Sequence, residues 1–203
     1  MQTDYAVELG RDDETLEMPW AAPDGSFRYY DLKREPQMLD HIEEAVRIGE
    51  LREFLLAVNA RISILESAKC DAWSTKEIHP EEEIFGKPWK FGSYVDLLFT
   101  NSAARFSFEE HESFLKRLTR LLQSVPEILA SAEFVLRRCH YYEDAFVERQ
   151  ASPPTWRDGV RDGFYITFYL LGFGEDEDKA RAQWAMALSV VTNALALVTS
   201  SRM

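Results

Sequence analysis

The sequence predicts an α+β protein with an antiparallel sheet of four or more strands and helices packed on one face. Apolar residues recur at helical spacing in several segments, and four further segments alternate apolar with polar residues as strands do. The strands are joined in pairs by short polar segments, which favour hairpins and therefore antiparallel pairing. These two observations fix the expected fold class.

The first half of the chain is predicted to contain an arm, a broken helix and two strands. Residues 1–34 are interpreted as an irregular arm, because acids, prolines and Gly25 interrupt any periodic pattern there. An apolar stripe predicts a helix from residue 35, which Gly49 interrupts and a second piece continues to Asn59. Strands are predicted over 62–73 and 93–99.

The second half is predicted to have the same order of elements and a closing helix. Ser107 and Glu110 form a capping box, which predicts the start of a helix. Strands over 134–142 and 164–171 follow, and a helix over 175–199 closes the chain. The uncharged run 183–201 approaches the length of a membrane span, but its polar residues favour a buried amphipathic helix.

The two halves show a partial internal repeat. A shift of 71 positions places 92–99 on 163–170, with Gly92 on Gly163 and Tyr94 on Tyr165. Helix–strand–strand units are therefore predicted over about 35–106 and 107–172, within a single domain 35–203. In outline this order resembles a ferredoxin-like sandwich. The alternative is coincidental similarity between two amphipathic strands.

Composition and charge exclude several classes of function. The 203 residues include 35 acids and 23 lysines and arginines, for a net charge of −12. This balance argues against a nucleic-acid partner and against anionic membranes. The acidic N-terminus lacks an apolar signal segment, so we expect a cytoplasmic protein. The two cysteines suit neither a disulfide framework nor a thiolate metal site, and no cofactor or metal is expected.

Alternation along the strands predicts one apolar face and one mixed face of the sheet. The apolar face of the inner strands carries Val95, Leu97, Phe99, Phe164, Ile166, Phe168 and Leu170. The opposite face, here called the open face, carries Tyr94, Asp96, Leu98, Tyr165, Thr167 and Tyr169. If Cys70 and Cys139 point to the core, the outer strands add to the open face Leu65, Lys69, Asp71, Trp73, Phe134, Leu136, Arg138, His140 and Tyr142.

Three interpretations of the open face remain. The N-terminal arm could fold over it through Trp20, Tyr29 and Tyr30. A protein interface also fits, because Tyr, Trp and Arg are favoured at interfaces. A small-molecule pocket could use Asp71, Asp96 and His140 for acid–base chemistry.

The leading functional hypothesis is a non-enzymatic, inhibitor-like module that binds a basic protein or a second copy of itself. Its expected binding residues are Lys69, Trp73, Tyr94, Arg138, Tyr142, Tyr165 and Tyr169. The alternative is a small-molecule-binding protein or enzyme that uses Asp71, Asp96, Arg138 and His140. A pocket of roughly 300–1,000 Å³ converging on those four residues would favour the alternative.

Two charges fall on the face that the cysteines assign to the core. Glu66 and Arg137 both lie on the cysteine side of their strands, among Ile64, Ala68 and Val135. Buried charges are tolerated chiefly when they are paired. We therefore expect the two to contact each other or to lie at a bulge or a sheet edge.

Overall fold

The computed structural model describes residues 1–22, 24–125, 127–142 and 160–200. Its strands are β1 (Gln2–Glu8), β2 (Thr15–Met18), β3 (Leu65–Thr75), β4 (Trp89–Phe99), β5 (Ala130–Tyr142) and β6 (Val160–Gly174). Its α-helices are α1 (Glu43–Arg47), α2 (Gly49–Val58), α3 (Ser102–Arg105), α4 (Phe108–Leu122) and α5 (Glu177–Ser200). Two 3₁₀ helices span Pro36–His41 and Pro80–Phe85. The protein is α+β, as predicted.

The sheet is mixed rather than wholly antiparallel, which corrects the prediction. The described strands run in the order β1-β5-β6-β4-β3, and β2 also pairs with β5. The pairs β5–β6, β6–β4 and β4–β3 are antiparallel, whereas β1 and β2 are parallel to β5. The ferredoxin-like outline is not confirmed.

The N-terminal segment is not an irregular arm, because it supplies β1 and β2 to the sheet. Acids such as Asp4 and Glu8 obscured the strand pattern, yet charged side chains are well tolerated on edge strands. After β2 the chain crosses the open face in a hairpin around Gly25, whose φ of 73° suits glycine. The indole Nε1–H of Trp20 then donates to the Ala68 carbonyl at 2.8 Å.

The helices α2, α4 and α5 cover one face of the sheet and form the main core. Phe134 stacks on Phe168 with ring centroids 4.9 Å apart, and Trp184 Nε1–H donates to Ser93 Oγ at 2.8 Å. The hydroxyl of Ser107 accepts from the Glu110 amide at 3.2 Å, so the predicted N-cap is confirmed. The predicted apolar face of the inner strands lies beneath these helices.

Two glycines at the end of β6 let α5 approach the sheet. A Cβ atom on Gly172 would lie 2.3 Å from the backbone nitrogen of Trp184. A Cβ atom on Gly174 would lie equally close, 2.3 Å from the backbone nitrogen of Ala180. Because these contacts are with backbone, any side chain there would push the helix off the sheet.

The helix α5 is long and apolar enough to cross a membrane by length and composition alone. Core helices of soluble proteins share these properties, and 39% of its most apolar window is buried within this fold. Its buried side chains form one stripe against the sheet: Ala180, Trp184, Ala187, Leu188, Val191, Ala194, Leu195 and Val198. The amphipathic pattern of the sequence corresponds to this stripe.

The predicted faces of β5 are inverted. Phe134 and Leu136 pair with Phe168 and Ile166 and lie in the main core, whereas Cys139 lies on the open face. Phenylalanine and leucine bury more apolar area than valine and cysteine, so they occupy the helix side. Arg138, His140 and Tyr142 lie on the same face of β5 as Phe134 and Leu136. They are therefore not on the open face, contrary to the prediction.

A bulge in β3 changes the alternation along that strand. Ser67 pairs with Leu97 and Cys70 with Val95, so two residues of β3 oppose the single residue Asp96. As a result Leu65 faces the helices, contrary to the prediction, while Cys70 faces them as predicted.

Glu66 and Arg137 do not pair with each other. Glu66 lies on the edge strand beside the bulge and binds Arg105 at 2.6 Å. Arg137 lies inside the sheet and binds Glu8 and Glu14, each at 2.9 Å. Both side chains are on the open face, and each has its own partner.

The internal repeat stays a prediction. Tyr94 and Tyr165 lie on the same face of adjacent strands, as equivalent positions would. The outer strands do not follow the 71-residue shift. Asp71 pairs with Tyr94, so the shift would pair Tyr142 with Tyr165, whereas Arg137 occupies that place.

Candidate functional site

The open face is covered at both ends. At one end, the N-terminal segment packs a second apolar cluster onto the sheet: Leu16, Met18, Tyr29, Leu98, Cys139, Tyr141 and Tyr165. At the other end, Phe85 stacks on Phe173 with centroids 4.0 Å apart, and Glu82 binds Lys90 at 2.8 Å. The middle of the face lies between these two covers.

A single cross-strand row occupies the middle of the face, and we call it the open band. It consists of Asp71, Tyr94, Tyr169, Glu133 and Asp4, which are successive Cα partners across β3, β4, β6, β5 and β1. The two tyrosines are half-buried and their ring centroids are 6.1 Å apart. The three acids are exposed. The band is therefore aromatic at its centre and acidic at both ends.

A buried carboxyl lies in the row beside the open band. Asp96 is 3% exposed and accepts a hydrogen bond from the Thr167 hydroxyl at 2.8 Å. Burial raises the pKa of Asp96 to about 7, even though the Thr167 hydrogen bond and the Lys69 charge lower it. A carboxyl with this pKa exchanges its proton near neutral pH.

The hydroxyl of Tyr165 is buried close to Asp96. It has no hydrogen-bond partner among the described residues. Burial, together with the nearby Asp96 carboxylate, raises the pKa of Tyr165. An unsatisfied buried hydroxyl costs about 1–3 kcal/mol.

Arg137 links the acidic strand β1 to the tyrosines. Its guanidinium binds Glu8 and Glu14 and donates to the Tyr169 hydroxyl at 3.2 Å. The guanidinium carbon also lies 5.8 Å from the Tyr169 ring centroid. These contacts fix the Tyr169 ring in the open band.

A groove of about 460 Å³ opens beside the band, between the N-terminal hairpin, the start of α1 and the β3 bulge. Its aromatic lining comes from Trp20, Phe27, Tyr30 and Tyr94. Its charged or ionisable lining comes from Arg28, His41, Glu43, Glu44, Lys69 and Asp71. The volume falls in the range of small-ligand sites.

The structure brings together only part of the predicted site. Lys69, Asp71, Trp73, Tyr94, Asp96 and Tyr169 lie on the open face, as expected. Tyr165 also lies on it but is fully buried beneath the N-terminal segment. Arg138, His140 and Tyr142 lie on the other side, and His140 binds Asp162 at 2.8 Å. Of the four polar residues proposed for a pocket, only Asp71 lines the groove.

Several residues of the site were not assigned to it from the sequence. Arg137 is predicted on the core side because the alternation of β5 is anchored on Cys139, which itself lies on the open face. The groove residues Arg28, His41 and Glu44 come from segments distant in sequence from β3. No local pattern could have joined them.

The arrangement suits binding of a cationic or mixed-charge surface. Among the residues that the structure describes, no group of three or more histidines, cysteines or acids could hold a metal ion. No protein-family model, no curated protein and no solved structure matches this chain.

Proposed function

We propose that the chain is a non-enzymatic binding protein that docks a basic surface of another protein onto the open band. The observation that carries this proposal is the five-strand row with two half-buried tyrosines between exposed acids. Tyrosine suits an interface because its ring gives a large contact area while its hydroxyl stays hydrogen-bonded. The charge of −12 would steer a basic partner toward the protein.

The acids at the β1 end of the band repel one another, which supports a cationic partner. Partial burial, together with the neighbouring carboxylates Glu8 and Asp4, raises the pKa of Glu133, although the Arg137 charge lowers it. Like charges placed side by side on a sheet are destabilising. A lysine or arginine of a partner would relieve this repulsion on binding, so part of the binding energy is already stored in the free protein.

The acid–base alternative rests on Asp96, whose pKa is raised to about 7 by burial. A general acid or base must come within hydrogen-bond reach of its substrate. Asp96 is 3% exposed and does not line the groove. These two observations favour the binding function over catalysis.

We expect octalysine, used as a cationic probe, to bind the open band. The variant Asp4→Asn/Glu133→Gln should weaken its binding about fivefold or more, because it removes two charges from the β1 end of the band. The control Glu53→Gln/Asp178→Asn removes two exposed charges from the helix layer and should change binding less than about twofold. Calorimetric titration at low salt measures both.

Equal weakening in the two variants would contradict the proposal, because it would mean that octalysine responds only to net charge. The band variant should also unfold at the same or a higher urea concentration than the wild type, since Glu133→Gln removes repulsion. Weakened binding therefore cannot be attributed to unfolding.

A further inference from the structure

The groove beside the open band already holds cations on its aromatic rings. The Lys69 ammonium lies 4.9 Å from the Trp20 ring centroid, and the Arg28 guanidinium lies 5.5 Å from the Tyr30 ring centroid. Rings attract cations through their negative faces, and the attraction strengthens where water is excluded. The aromatic lining therefore suits positively charged groups, and among the described residues no cation lies over its other two rings, Phe27 and Tyr94.

Carboxylates surround the same space. Glu43 and Glu44 line the groove from the first turn of α1, and Asp71 lines it from β3. Two of these carboxylates, Glu44 and Asp71, lie close enough to affect Cys70, which also lines the groove. Burial raises the pKa of its thiol to about 12, and Glu44 and Asp71 contribute to the increase. The three carboxylates outnumber the two lining cations Arg28 and Lys69, so the groove can still accept a further positive group.

Hydrogen bonds within the chain hold the walls of the groove in place. The Trp20 indole is held by its hydrogen bond to the Ala68 carbonyl, which the β3 bulge leaves available at the sheet edge. The hairpin that carries Trp20 and Tyr30 is closed by the Tyr29 amide donating to the Trp20 carbonyl at 2.9 Å. Phe27 is 61% exposed at the rim, where a partner would cover it.

We infer that the groove receives a guanidinium group, carried by an arginine side chain of the basic partner. A guanidinium is planar, so it stacks on flat rings, and its forked donors match carboxylates better than an ammonium does. A volume of about 460 Å³ accommodates such a side chain with part of its backbone. The inference rests on the proposed function, because it names the group by which the partner is anchored.

The test uses two short peptides, acetyl-Gly-Arg-Gly-amide and its citrulline counterpart, which has nearly the same shape and no charge. The Trp20 indole N–H signal in ¹H–¹⁵N spectra reports on the groove, and a Trp20→Phe variant assigns it among the signals of the five tryptophans. We expect a saturable shift with the arginine peptide and binding about fivefold or more weaker with citrulline.

Matched variants locate the effect. Glu43→Gln/Glu44→Gln, which leaves the open band unchanged, should weaken binding of the arginine peptide about fivefold or more. Asp4→Asn/Glu133→Gln, which lies outside the groove, should change the affinity for the arginine peptide by less than about twofold. Equal binding of the two peptides would overturn the inference, as would the absence of a saturable shift at tens of millimolar.

The two proposals can fail separately. If octalysine still depends on Asp4 and Glu133 while the arginine peptide does not bind, only the groove inference is wrong. If the arginine peptide binds in the groove but octalysine binding does not depend on Asp4 and Glu133, the groove binds guanidinium and the docking proposal is wrong.

Discussion

Replacing Asp96 with asparagine should stabilise the protein by roughly 4 kcal/mol near pH 8 and by less than about 1 kcal/mol near pH 4. Burial raises the pKa of Asp96 from an ordinary 3.8 to about 7. The folded protein therefore holds this proton more tightly than the unfolded chain does. Its contribution to stability is complete below the unfolded pKa and is lost as the pH rises from about 4 to about 7.

Asparagine removes the ionisation while its carbonyl can still accept the Thr167 hydrogen bond. The other charges near Asp96, which are Lys69, Glu14 and Arg137, stay in place in this variant. Urea unfolding of wild type and variant at several pH values measures the effect. The control is Asp71→Asn, an exposed change in the adjacent strand. A stability difference for Asp96→Asn that does not vary with pH would contradict the assignment.

Removing Lys90 should destabilise the protein by about 3–5 kcal/mol. The Lys90 ammonium binds both carboxylate oxygens of Glu82, at 2.8 and 2.9 Å, and the two side chains are 6% and 9% exposed. Lys90→Met leaves the Glu82 charge buried without its partner. The pair ties the Pro80–Phe85 helix to the sheet and so bounds one end of the open band.

The double variant Glu82→Gln/Lys90→Met should recover most of that loss. The glutamine carbonyl can still accept from the His79 amide, which donates to Glu82 at 2.7 Å. Replacing both members of a buried ion pair leaves no uncompensated charge. Urea unfolding of the two single variants and the double variant gives the coupling energy. A Lys90→Met variant as stable as the wild type would show that the pair contributes nothing.

The sequence predicted which residues face each side of the inner strands β4 and β6, but for the outer strands β3 and β5 it predicted the strands and only part of their facing. Regular alternation in β4 and β6 placed Val95 and Phe168 on one face and Tyr94 and Tyr169 on the other, because each strand has a uniformly apolar side. In β5 the alternation was anchored on a cysteine rather than on Phe134. Cysteine buries little area, so it was a poor guide to the core side.

Other features depended on contacts between distant segments. The bulge in β3 changes the alternation after Ser67, and no residue type in the strand marks it. The parallel pairing of β1 with β5 joins residues more than a hundred positions apart. The groove likewise forms only when the N-terminal hairpin meets the sheet edge. Periodicity describes single elements, so it could not predict these contacts.

We propose that the tyrosines of the open band form a binding surface and are not part of the core. The most direct test compares Tyr94→Ser/Tyr169→Ser with Phe168→Ala, a buried core change that should cost about 3–5 kcal/mol. Octalysine titration and thermal melting are measured on both variants. We predict that the tyrosine variant loses octalysine binding while melting well above the Phe168→Ala variant, which retains binding below its melting temperature. A tyrosine variant that melts as low as Phe168→Ala and binds octalysine normally would contradict the account.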